Sequence, residues 1–104
     1  MKIRKLQWTK MEGDEETKDE LFSELILINL VIDNKSMRIL EHYEVVHDDE
    51  DDEYFIYVMF TNGDTVQLFD KNIFKNENEC ITMCQKHFED TIINYNKKWE
   101  VKIT

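Results

Sequence analysis

The chain contains no proline and no alanine, and it has only two glycines, two serines, two cysteines and two arginines. Each shortage removes a class of chemistry. Gly13 and Gly63 stand fifty residues apart, so neither a phosphate-cradling P-loop nor a dinucleotide-binding turn can be assembled from them. Ser23 and Ser36 lack the Gly-x-Ser-x-Gly setting that exposes a nucleophilic serine on a sharp turn. Long apolar runs are also missing. The longest, Leu25 to Ile32, is interrupted by Asn29 and falls far short of the roughly 20 residues that span a bilayer. At the start of the chain Lys2, Arg4 and Lys5 imitate the basic end of a secretion signal. Gln7, Thr9 and Lys10 follow where an apolar stretch is required. The expected location is therefore the cytoplasm, the host's if the source is viral, with no membrane association.

The missing residue types share a genetic cause. Ala, Pro and Gly need GC-rich codons, whereas the abundant Ile, Lys and Asn use AT-rich ones. Eleven lysines against two arginines fit the same bias. The expected source is a low-GC bacterium, one of its phages or a comparable genome.

What is present is acid. The formal net charge of the 104 residues is −10, and two short segments account for all of it. Residues 12–20 hold Glu12, Asp14, Glu15, Glu16, Asp19 and Glu20 against Lys18 alone, and residues 48–53 read Asp48, Asp49, Glu50, Asp51, Asp52, Glu53. The remainder of the chain is close to neutral. Such runs commonly serve as solvated loops. Their density also suits an anionic surface that meets a basic groove, because like charges oppose compaction and solubility alone does not require so many. Residues 48–53 lack the glycine and the spaced ligands of an EF-hand calcium loop.

Hydrophobic residues make up 41% of the chain, enough for one core, and the length suits one domain, residues 1–104. Alternating residues predict a first strand over 2–11, lysine-rich as edge strands often are. The acidic segment 12–20 is read as a loop. Thr17 and Glu20 would suit a helix capping box. However, the β-branched Ile26, Ile28, Val31 and Ile32, followed by Asp33-Asn34-Lys35, favour a strand over 25–32. Further strands are expected over 36–46 and 54–60. Asn62-Gly63 predicts a two-residue type I′ turn into a strand from Thr65 to Asp70. That turn would oppose Phe60 to Thr65 and Met59 to Val66. Phe55, Tyr57, Met59, Val66 and Leu68 would then share one face, with Ile56, Val58, Phe60, Thr65, Gln67 and Phe69 on the other. Asn76 as N-cap, Glu79 three residues later and the stripe Ile81, Cys84, Phe88, Ile92, Tyr95 predict a helix over 77–96. Trp99, Val101 and Ile103 alternate as a last short strand. The expected fold is α+β: an antiparallel sheet of four to six strands with a C-terminal helix packed on one face. The second sheet face, around Ile56, Val58, Phe60 and Phe69, then needs a cover of its own, and a homodimer is one way to supply it.

Cys80, Cys84 and His87 have helical spacing and could supply three zinc ligands. A fourth ligand would have to come from His42 or His47 by chance of folding, so they are read as two buried thiols beside a partly exposed histidine, and no metal or cofactor is expected. A cysteine nucleophile would need an electropositive setting that the surrounding sequence lacks. The acidic excess disfavours direct nucleic-acid binding, and no catalytic set is apparent.

In this acidity, small size and AT-rich composition, the chain is similar to the small acidic proteins that phages make against host defences, some of which imitate nucleic acid. The likeness is to restriction inhibitors and anti-CRISPR proteins, and it is one of composition, extending over no alignable stretch. It implies a non-enzymatic inhibitor of a host nucleic-acid-binding defence enzyme, whose basic channel would receive the two acidic segments. Two other expectations use the same features. One is an immunity protein or antitoxin that neutralises a basic toxin. The other is a structural, oligomer-forming protein whose acidic loops keep it in solution. The fold expectation has a direct check: circular dichroism should show both helix and strand, with strand the larger part.

Overall fold

The computed structural model describes residues 3–11, 19–24, 28–32, 35–38, 42–48, 50–69 and 74–103. Among these described residues eight strands and one helix are formed, in the order β1 Trp8–Met11, β2 Asp19–Ser23, β3 Ile28–Ile32, β4 Lys35–Arg38, β5 His42–Asp48, β6 Glu53–Met59, β7 Thr65–Leu68, α1 Glu77–Asn96 and β8 Glu100–Ile103. Five strands form an antiparallel sheet in the order β1-β2-β5-β6-β7, and three form a second antiparallel sheet in the order β4-β3-β8. The fold is α+β, with the C-terminal helix packed on one face of the larger sheet.

The helix forms where its sequence signals place it. Asn76 is extended, and its side-chain oxygen accepts from the Glu79 amide at 2.9 Å, which satisfies one of the amides left over at a helix start. Glu79 reaches back as expected, but to the amide of Lys75 (2.7 Å) rather than that of the cap residue. Cys80, Cys84, Phe88 and Ile92, spaced by four, are fully buried. Ile81 and Tyr95 flank them, partly buried against the core. Against this stripe lie Leu21, Tyr43, Val45, Ile56 and Val58, which neighbour one another across β2, β5 and β6. These inward residues alternate with Glu44, Val46, Phe55, Tyr57 and Met59, none of them fully buried, as the two-residue period of a strand requires.

Several expectations need correction. The strand read over 2–11 is confined to Trp8–Met11, at the sheet edge. The Gln7 carbonyl still accepts from the Glu24 amide (2.8 Å), but earlier residues bond to a side chain: Gln85 accepts from the Leu6 amide (2.9 Å) and donates to the Arg4 carbonyl (3.0 Å). Asp19 and Glu20 are not loop residues but open strand β2. The strand expected over 25–32 is formed from Ile28, and residues 25–27 lie outside those described. The strand expected over 36–46 is two strands, β4 and β5, which belong to different sheets. β3 and β4 are an excursion between the neighbours β2 and β5, and β8 completes their sheet by pairing with β3.

The largest correction concerns the turn at Asn62-Gly63. Met59 pairs with Thr65 and Val58 with Val66, one residue away from the expected register. The Gly63 amide donates to the Phe60 carbonyl (3.0 Å), and the Phe60 amide donates to the Asp64 carbonyl (2.9 Å). Gly63 has φ of +93°, and Asn62 is not in the left-handed region. This is a type I turn followed by a left-handed glycine, the three-residue hairpin, rather than a type I′ turn. A slip of one residue exchanges faces. Ile56 and Val58 therefore share their face with Val66 and Leu68, and it is the face that the helix covers. The face turned away from the helix holds Phe55, Tyr57 and Met59, all half-buried. At the far end of β7, Phe69 turns into the left-handed region (φ +64°), which takes the chain out of the ladder after Leu68.

Among the described residues no helix is long and apolar enough to cross a membrane. A test of the revised hairpin lies in Gly63→Ala. A Cβ there would meet nothing within 4 Å, so the cost is that of the left-handed backbone alone, about 1–2 kcal/mol. Urea denaturation should show that loss with an unchanged slope.

Candidate functional site

The acidic run 48–53 forms the β5–β6 hairpin turn. Asp48 and Glu53 are its closing pair. Two local features suit these residues to the turn. Asp48 Oδ1 accepts from the Glu50 amide at 3.2 Å, a local bond that short acidic side chains make readily. Asp52 takes a left-handed backbone (φ +51°), which Asp tolerates better than most residues. His47 steadies the turn from below: its Nε2 lies 2.9 Å from Asp52 Oδ1, and its ring stacks on Tyr54 with centroids 4.3 Å apart. Glu50, Asp51 and Asp52 are exposed. Asp49 lies outside the described residues.

The strand registers relate the two acidic segments. Asp19 pairs with His47 and Glu20 with Val46, next to the Asp48–Glu53 pair that closes the turn. Met11 pairs with Glu20, so β1 ends and β2 begins at the end of the sheet where β5 passes into β6. Residues 12–18 connect Met11 to Asp19 and lie outside those described, Glu12, Asp14, Glu15 and Glu16 among them. Their two attachment points and those of the 48–53 turn occupy four adjacent strands, β1-β2-β5-β6. Three interstrand spacings of about 4.8 Å place all four within roughly 14 Å. Both acidic segments therefore issue from one end of one sheet.

The face turned away from the helix begins at that end. Glu20, Val46 and Phe55 form one row across β2, β5 and β6, and Phe22, Glu44 and Tyr57 form the next. All six are half-buried. Phe55 and Tyr57 lie with ring planes 16° apart and centroids at 6.4 Å. His42 hydrogen-bonds Glu44 (3.1 Å) and packs near Phe22, with centroids at 6.3 Å. Among the described residues, no helix or strand packs over these rows. The sequence expectation left the opposite side, around Ile56, Val58, Phe60 and Phe69, uncovered, because both sides of this strand are apolar. The alternation of Tyr43 and Val45 with Glu44 and Val46 was the available signal.

The cysteine–histidine group has a different character. Both thiols are fully buried. Burial, together with the carboxylates of Glu79 and Glu77, pushes Cys80 up to about 12; burial, with Cys80 beside it, pushes Cys84 up to about 12. Neither thiol is disposed to ionise as a nucleophile or a metal ligand must. His87 Nδ1 is engaged by the Tyr43 hydroxyl at 2.6 Å. Desolvation raises Tyr43 above the usual phenol range, so the hydroxyl keeps its proton, and the tautomer of the imidazole sets which of the two donates. Among the described residues, no three His, Cys, Asp or Glu side chains cluster as metal ligands do. A groove of about 300 Å³ beside His87 is lined by Phe69, Met83, Lys86, Asp90 and Thr91. The Thr91 hydroxyl donates back to the His87 carbonyl (2.7 Å).

No protein-family model, curated protein or solved structure matches the chain.

Burial lowers the pKa of His87, partly opposed by Asp90. The folded state thus binds a proton less readily than the unfolded chain. This contribution to stability is complete above the ordinary histidine pKa of about 6.5 and is lost as pH falls from there through the lower folded-state value. Denaturant melts at pH 7.5 and 5.5 should show His87→Gln losing less stability over that interval than the unaltered protein.

Proposed function

We propose that this protein is a non-enzymatic, acidic binding protein that acts as a stoichiometric inhibitor. It occupies the basic channel of a nucleic-acid-binding enzyme, of the anti-CRISPR or anti-restriction kind, in place of the nucleic acid. The supporting observation is the exit of both acidic segments from one end of one sheet. Duplex DNA presents about one negative charge per 1.7 Å of its axis, and a substitute must place carboxylates at comparable density. The Asp48–Glu53 turn holds six in succession, and the 12–20 segment adds its own within reach. The turn is also organised before any partner arrives, through His47, Tyr54 and the Asp48 bond to the Glu50 amide. Preorganisation reduces the ordering cost of association. The non-enzymatic part of the reading is supported by the buried, un-ionised thiols and by the Tyr43–His87 pair, whose polar atoms satisfy each other.

The test uses CRISPR effector complexes and restriction enzymes from low-GC bacteria, assayed for cleavage of duplex DNA. At least one should be inhibited at stoichiometric protein, with excess DNA relieving the block. Replacing Glu50 with Gln, and Asp51 and Asp52 with Asn, should weaken that inhibition about tenfold, mostly through slower association, since steering acts before contact. Asn accepts the left-handed backbone at position 52, so folding should survive. Single changes should be close to undetectable, because exposed ion pairs are worth roughly 0.2–1 kcal/mol each. Raising salt from about 0.05 to 0.5 M should mimic the triple change. Inhibition unaffected by either would remove the acidic turn from the mechanism.

A further inference from the structure

Resting on the reading of an acidic inhibitor, we propose that the face of the five-stranded sheet turned away from the helix docks an arginine-rich surface of the protein partner, with guanidinium groups stacking on Phe22 and Tyr57 and pairing with Glu44. The central row runs aromatic, carboxylate, aromatic across three adjacent strands: Phe22 opposite Glu44, and Glu44 opposite Tyr57. Neighbouring strands lie about 4.8 Å apart, so a planar cation over this row meets a ring face and a carboxylate together. The next row repeats the theme with Glu20, Val46 and Phe55, and leads towards the Asp48–Glu53 pair.

Guanidinium fits this pattern better than ammonium does. It is planar, weakly hydrated, stacks on aromatic rings and offers several donors to one carboxylate. An ammonium group is a compact, strongly hydrated charge with no face to stack. A second copy of the chain fits poorly, because a symmetric contact would gather Glu20, Glu44 and Glu53 from both copies into one interface, and among the described residues these rows hold no lysine or arginine to pair with them. Nucleic acid is excluded by the same carboxylates. The area is also consistent. Four strand spacings by about 20 Å give roughly 400 Å², half of the roughly 800 Å² that a stable complex buries on each partner. The acidic turn at the end of the face must supply the rest, which joins the two surfaces into one footprint.

The experiment compares deca-arginine with deca-lysine, peptides of equal charge, by amide-shift titration of the whole protein. Deca-arginine should bind roughly fivefold more tightly and shift the amides of Phe22, Glu44 and Tyr57. Glu44→Gln, which preserves shape, and the double variant Phe22→Ser with Tyr57→Ser should each bring deca-arginine down towards deca-lysine. The Glu50, Asp51 and Asp52 replacements should weaken both peptides alike. If the two peptides bind equally, and only the acidic-turn variant matters, the arginine-directed face is overturned while the acidic-inhibitor reading stands. If neither peptide binds, both fail. If the protein proves to be a dimer closed over Phe22 and Tyr57, the face belongs to a second copy and the proposal is overturned.

Discussion

The structure depends on one contact: the packing of a single helix against the inner face of the larger sheet. Cys80, Cys84, Phe88 and Ile92 on the helix meet Tyr43, Val45, Ile56 and Val58 on the central strands, with Leu21 beside them. Burial of apolar surface is the principal favourable term in folding, and these residues contribute most of the fully buried side chains. The N-terminal segment is tied to the same helix by Gln85, whose amide holds the backbone at Arg4 and Leu6. Glu24 reinforces that attachment. Burial, the largest single influence, would raise the pKa of its carboxyl, but the hydrogen bond from Arg4, that from the Gln7 amide and the Arg4 charge together outweigh it, and the net effect is a lowering.

A single helix covers only one face. Apolar residues on the other face remain half-buried, and their neighbours include three glutamates. Such a surface is costly to leave in water and also costly to bury against itself, since one process exposes apolar area and the other opposes like charges. A partner that brings both flat apolar character and positive charge relieves both costs. The fold thus separates its functions by face. The inner face holds the chain together. The outer face and the acidic end are where the proposed recognition would take place.

The placement of charge follows the same separation. Self-repulsion among carboxylates weakens a compact state, and here the acids are gathered where the sheet ends and solvent begins. Asp52 takes a left-handed backbone that would strain most other residues, and His47 braces it from the neighbouring strand. The turn is therefore acidic for conformational as well as electrostatic reasons. The buried Tyr43–His87 pair shows how the interior treats polar groups by contrast: each satisfies the other, and burial holds both neutral.

How much of this could be read from the residues follows from the range of the forces involved. The helix was legible because its signals are local: an Asn76 cap, a Glu79 three residues on and an apolar stripe at fixed spacing. The edge position of β1, the last strand at the C-terminus and the α+β class were legible for similar reasons. The division of residues 36–46 between two sheets was not, because either half alternates well enough to be a strand and only pairing partners distinguish them. The acidic segments were plain in composition, yet their common exit depends on β2 lying beside β5, a contact between residues far apart in the chain. The buried face of the central strand was misassigned because Phe55, Tyr57 and Met59 on one side and Ile56, Val58 and Phe60 on the other are both apolar, and only the packed helix tells them apart. The β7 partners were misassigned through the turn: Asn-Gly suits both a type I′ hairpin and a type I turn with a left-handed glycine, and the two differ by one residue in register. Local sequence determined that the chain would turn there and that both faces were apolar; tertiary packing decided which face is buried, because a strand's two faces cannot both be buried by one helix.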